Sequence, residues 1–185
     1  MEMKVTKSQA ELYQVRSGKG SLAWGNITLI CGAESVSVMA TSDYGTFDYH
    51  WSHCGGEPKN FLCGLDFQYT MKKLTNGNLY IPDPSGYREE IKTSIIESRK
   101  SEGLTREQAR IAWDEMLCIH DEHEKGEVFF HALYNHALFD NVFGEAEYLP
   151  SATQPDHCAV DFWNDVWAPF INSLRQELTG NTNVA

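Results

Sequence analysis

The chain has 185 residues, of which 42% are hydrophobic and 12% aromatic, and its formal net charge is -11 at pH 7. That length supports one good core, or two small subdomains sharing one, and the apolar content excludes a disordered acidic tail. The negative charge argues against direct nucleic-acid binding and against an anionic membrane surface, since both reward Lys and Arg.

The first residues, Met1 to Gln14, contain no apolar h-region, so no secretory signal is expected. No apolar run approaches a bilayer span. Short runs at Ala10–Val15, Ser21–Cys31, Ser35–Ser42 and Thr46–His53 then read as strands. Val36 and Val38 alternate with Ser35 and Ser37, and Phe47, Tyr49 and Trp51 alternate with Asp48 and His50. Period two sends one face to a core and the other to water. Gly32-Ala33-Glu34 and Asp43-Tyr44-Gly45 read as hairpin loops. The prediction is an antiparallel meander of three to four strands.

After Gly55-Gly56-Glu57-Pro58 the spacing becomes helical, through Phe61, Leu62, Leu65, Tyr69, Met71 and Leu74 to a stop at Asn76-Gly77-Asn78. Asp83-Pro84 predicts a helix start, with Asp as N-cap and Pro at the first position. That helix should reach about Lys100 and stop at Gly103. Thr105-Arg106-Glu107-Gln108 is a capping box that opens a helix through Ala109, Ala112, Trp113, Met116 and Leu117. Val128–Phe139 reads as a further helix, Pro150–Pro155 as a loop, and Asp156–Leu178 as a last helix with a kink near Pro169. Residues from Gly180 onward should fray. The expected class is α+β, an N-terminal sheet followed by four to five helices. The expectation is one compact domain over 1–185, β-rich over 1–56 and helical and acidic over 57–180.

Charge is segregated along this scaffold. Of 26 acids and 15 bases, twelve acids and one base fall between Ile111 and Asp165, so the remaining 14 and 14 cancel. The acidic stretch also carries Trp113, Phe129, Phe130, Tyr134, Phe139 and Trp163, which places its charge on a folded face. Such a face attracts basic surfaces or cations. Asp114, Glu115, Asp121, Glu122, Glu124 and Glu127 are the first candidates for partner contact, with Glu145, Glu147, Asp161 and Asp165 second.

Four other constellations compete with that reading. His120, His123, Glu124, Glu127 and His131 are residue types that hold a divalent metal, although H-E-x-x-H and the Glu-x-x-His of di-iron bundles are both missing. The plainer expectation is a solvated acidic helix end with no cofactor. His50, His53, Cys54 and Cys63 read as surface histidines and buried thiols. Ser17-Gly18-Lys19-Gly20-Ser21 has a phosphate-binding flavour but sits where a hairpin turn is expected. Phe162, Trp163, Val166, Trp167, Phe170, Ile171 and Leu174 form an apolar stripe at helical spacing, core by default and a partner anchor if exposed. The five cysteines are odd in number and irregularly spaced, which fits reduced thiols and a cytoplasmic protein. No nucleophile elbow, P-loop or dinucleotide fingerprint is present, so catalysis is not favoured.

Gly20-Ser-Leu-Ala-Trp-Gly-Asn-Ile-Thr-Leu-Ile-Cys-Gly32, taken with Phe47-Asp-Tyr-His-Trp-Ser-His-Cys-Gly-Gly-Glu-Pro-Lys-Asn-Phe-Leu62, resembles the N-terminal region of small accessory proteins of tailed phages and enterobacterial prophages. The resemblance covers about the first half and carries no catalytic residue. It implies an intracellular protein of an infected or lysogenic bacterium that is not part of the virion. Small acidic phage proteins of that kind resemble anti-defence inhibitors, anti-CRISPR and anti-restriction proteins among them, several of which mimic DNA. The combined expectation is a non-enzymatic inhibitor whose partner is a basic nucleic-acid-binding protein or ribonucleoprotein complex of the host. The alternatives are a metal-dependent enzyme or metal-stabilised domain at the histidine cluster, and an adaptor anchored by aromatics such as Trp163 and Trp167.

Overall fold

The computed structural model describes residues 3, 5–18, 23–117, 142 and 152–180. It comprises two compact units, one formed by residues 1–79 with 155–185 and the other by residues 80–154.

The first unit is built on a four-stranded antiparallel sheet in sequence order: β1 (Glu11–Arg16), β2 (Trp24–Cys31), β3 (Val36–Ser42) and β4 (Gly45–Trp51). Register follows the alternation in the sequence. Leu29 pairs with Val38, and Val38 with Tyr49; one residue along, Thr28 pairs with Met39, and Met39 with Asp48. The first row faces the core and the second faces out, because side chains alternate faces along a strand. Ile27, Leu29, Val36, Val38, Ala40, Phe47 and Trp51 are buried accordingly.

Helices cover that inner face. The helical run expected from Phe61 to Leu74 is two helices, α1 (Pro58–Cys63) and α2 (Phe67–Leu74). Asp66 divides them: its carboxylate accepts the Tyr69 N–H and so begins a new helix where Gly64 ends the old one. α2 closes through Asn76 and Gly77, both at positive φ (52° and 89°), with the Gly77 N–H bonded to the Lys72 carbonyl at 2.8 Å.

The C-terminal segment returns to this unit as one continuous rod. It consists of α5 (His157–Phe162), a π turn (Trp163–Trp167) and α6 (Ala168–Leu178). The irregularity predicted at Pro169 is this π turn just before it. Proline has no N–H to give the carbonyl four residues back, and the Ala168 N–H instead reaches the Trp163 carbonyl five residues back. Phe162, Val166, Trp167, Phe170, Ile171 and Leu174 are all buried against the sheet core, so the apolar stripe is core. At the edge, Lys59 Nζ lies 2.7 Å from Glu11, 2.6 Å from Glu177 and 3.0 Å from the Tyr13 hydroxyl, tying α1 to β1 and α6. Arg175 of α6 donates to the Cys63 carbonyl at 2.7 Å and so closes the C-terminal end of α1.

In the second unit α3 (Pro84–Lys100) starts as predicted, with the Asp83 carboxylate accepting from Ser85 N–H. α4 (Arg106–Leu117) opens on the predicted capping box. Gln108 N–H donates to Thr105 Oγ1 at 3.2 Å, and Thr105 N–H donates to Gln108 Oε1 at 2.9 Å. Tyr87, Ile91 and Ile95 of α3 pack on Ala112 and Met116 of α4. The loop expected at Pro150–Pro155 is corrected in part: β6 (Thr153–Pro155) pairs with β5 (Tyr80–Pro82). The helix expected over Val128–Phe139 lies outside the described residues. The whole is α+β, with an N-terminal four-stranded antiparallel sheet followed by helices.

Candidate acidic interaction surface

In the first unit Asp161 on α5 and Asp165 in the π turn are both exposed. The β3–β4 turn brings Asp43 and Tyr44 to the same place. The Tyr44 hydroxyl donates to the Asp165 carboxylate across 121 residues of sequence, and the Asp43 carboxylate accepts the Trp24 N–H at 3.2 Å. The bond to Asp165, followed by burial and the charges of Asp165, Asp161 and Asp43, pushes the Tyr44 hydroxyl up to about 12. The Tyr44 hydroxyl therefore stays protonated at neutral pH and acts as a hydrogen-bond donor to Asp165. Among the described residues no Lys or Arg pairs with Asp43, Asp161 or Asp165. Two of these three carboxylates stand out in the sequence by charge. Asp43 does not, because it reads as a turn residue until the hairpin meets the π turn.

Asp114 and Glu115 lie near the end of α4 in the second unit, Asp114 exposed and Glu115 half-buried. Arg110, one turn earlier, stands 3.9 Å from Asp114 and offsets its charge. Asp121, Glu122, Glu124, Glu127, Glu145 and Glu147 lie outside the described residues, as do the metal candidates His120, His123 and His131.

The second histidine–cysteine constellation has local partners. His50 Nδ1 is 2.8 Å from Ser37 Oγ, His53 Nδ1 is 3.4 Å from Glu34, and Cys54 N–H donates to the Glu34 carbonyl. Cys31, Cys54, Cys63 and Cys158 are free thiols, each with its pKa raised chiefly by burial. None carries the depressed pKa of an activated nucleophile. Among the described residues no three His, Cys, Asp or Glu side chains come together in a way that would hold a metal ion.

The default expectation for the apolar stripe, core packing, holds at Trp167. Trp167 is fully buried, stacked on Trp163 at 6.3 Å between centroids. Trp163 is half-buried and meets Phe67 edge-on at 5.5 Å.

Residues 3–176 match the Phage_phiTE_072 family, described as a phage family. The chain belongs to this phage family. No curated protein and no solved structure matches it. The family match takes in both compact units, well beyond the first half that carries the resemblance noted from sequence. No helix among the described residues of this phage protein is long and apolar enough to cross a membrane.

Proposed function

We propose that this phage protein is a non-enzymatic, anti-CRISPR-like inhibitor. It binds the nucleic-acid channel of a bacterial defence complex in the host cytoplasm and blocks access by presenting carboxylates where the complex expects phosphates. The observation that carries the reading is charge segregation: twelve acids against one base over Ile111–Asp165. Asp161 and Asp165 of that stretch, joined by Asp43, stand without a paired base on a face whose geometry is held by the Tyr44–Asp165 bond. Duplex DNA presents about one negative charge per 1.7 Å of axis, and a channel built for it offers Lys and Arg to an acidic protein as readily as to phosphate. Asp114, Glu115, Asp121, Glu122, Glu124, Glu127, Glu145 and Glu147 extend the same charge along the chain.

The test is capture from bacterial lysate with the tagged protein, washed at low and high salt, with mass spectrometry of the bound fraction. The expected result is a nucleic-acid-binding defence complex held at low salt and lost at high salt. Asp161→Lys combined with Asp165→Asn keeps an acceptor for Tyr44, and it should weaken capture and flatten the salt dependence. Unchanged capture by that variant and by one with Asp121, Glu122 and Glu124 all changed to Lys would sink the mimic reading.

A further inference from the structure

The second unit carries a surface of the opposite sign. Between α3 and α4 runs an open groove of about 490 Å³. Ile95, Ile96, Ala109 and Trp113 make its lining largely apolar, and among the described residues its charges come from Arg99, Lys100 and Arg110. Glu97, Glu107 and Asp114, on the same two helices, are not part of the lining. Ile96 is 46% exposed, although Ile95 beside it is buried. A helix C-terminus by itself accounts for Arg99 and Lys100, which sit in the last turn of α3. It does not account for the apolar strip beside them; Arg110, on α4, also lines the groove, with Asp114 3.9 Å from it. Arg99 and Lys100 have no carboxylate partner among the described residues.

We propose that this groove docks an acidic amphipathic helix of a partner protein, and that it does so independently of the acidic surface described above. A helix laid between two helices presents apolar side chains at i, i+3, i+4 and i+7 to the floor. Carboxylates flanking that stripe then meet Arg99 and Lys100 of α3 and Arg110 of α4. Charge complementarity selects the occupant: a basic amphipathic helix of the same apolar pattern meets the unpaired like charges of Arg99 and Lys100, with Arg110 partly offset by Asp114.

The test uses the full chain and two labelled synthetic peptides of about 18 residues, a length of about five helical turns. They share one leucine stripe and are flanked by Glu in one and Lys in the other. Fluorescence anisotropy should show the Glu-flanked peptide binding and the Lys-flanked one failing. Arg99→Glu with Arg110→Glu should weaken the first by about tenfold or more. Ile96→Glu should do the same through the floor. All three side chains are exposed, so these variants should fold, and circular dichroism checks that they do. Equal binding of both peptides, or binding indifferent to both variants, overturns the proposal. So does binding of neither peptide. It is also overturned if sedimentation shows a wild-type dimer that Ile96→Glu dissolves, which would assign the groove to a second copy. Binding to phosphatidylglycerol vesicles while both peptides fail would assign it to a lipid surface.

Discussion

Lys59 is the residue on which the rim of the first unit depends. Burial works against its charge, and the Glu11 and Glu177 carboxylates overcome that and raise its pKa. Lys59 in turn lowers the pKa of Glu11, helped by the Tyr13 hydroxyl. A lowered carboxyl pKa contributes stability above the ordinary value of 4.5, lost as pH falls through the lowered one. A raised ammonium pKa contributes stability below the ordinary value of 10.5, lost as pH climbs beyond it. Thermal melts across pH should therefore fall off on both sides. Lys59→Met should melt lower at neutral pH and lose less on acidification, since protonating Glu11 then relieves repulsion with Glu177. A parallel acid limb in wild type and variant would contradict this. Thr70 offers the opposite case. It is fully buried in α2, and its hydroxyl has no hydrogen-bond partner among the described residues. Thr70→Val keeps the shape and removes the orphan, so it should add about 1 kcal/mol and raise Tm by roughly 2–4 °C. A lower Tm would mean that the hydroxyl has a partner. Neither effect is visible in sequence, where Lys59 and Thr70 read as ordinary polar helix residues.

At the level of elements, the sheet and the C-terminal rod press closely together at Gly25. A Cβ there would fall 2.3 Å from Val166 Cγ1, and Val166 is buried in the π turn. Gly25→Ala should destabilise by about 1–3 kcal/mol through overpacking. In a Val166→Ala background the same change should cost much less, and a double-mutant cycle by urea melts measures the difference. Additive effects would show that the strand and the π turn do not press on each other. Local signals in the sequence mark the ends of elements well. Asp83-Pro84 and the Thr105–Gln108 box start helices where they were expected, because a cap is chemistry within four residues. Helical spacing alone ran through Gly64–Asp66, since apolar period cannot see that Asp66 caps a second helix. The pairing of β6 with β5 was equally hidden. Each strand has three residues, and their partners lie more than seventy positions apart.

For the whole molecule the prediction concerns salt. If the acidic face mimics phosphate, capture of its partner should weaken steeply with ionic strength, and each contact charge removed should flatten that slope by about one. An adaptor held by apolar contacts would show little salt dependence, and pull-downs over a salt series separate the two. The sequence by itself determined the four N-terminal strands and their order, the helix starts at Asp83-Pro84 and Thr105–Gln108, the apolar stripe from Phe162 to Leu174 and the segregation of charge. Each of these is a matter of residue type and short-range period. It also carried the phage resemblance, which the family match over residues 3–176 extends to nearly the whole chain. Only the tertiary structure decided that the C-terminal rod packs on the N-terminal sheet, that Asp43 joins Asp161 and Asp165 around Tyr44, and that Arg99 and Lys100 of α3 line one apolar groove with Arg110 of α4. These are meetings of segments far apart in the chain or on facing helices. Periodicity fixes which face of an element is apolar, but the choice of what covers that face belongs to packing among all the elements at once.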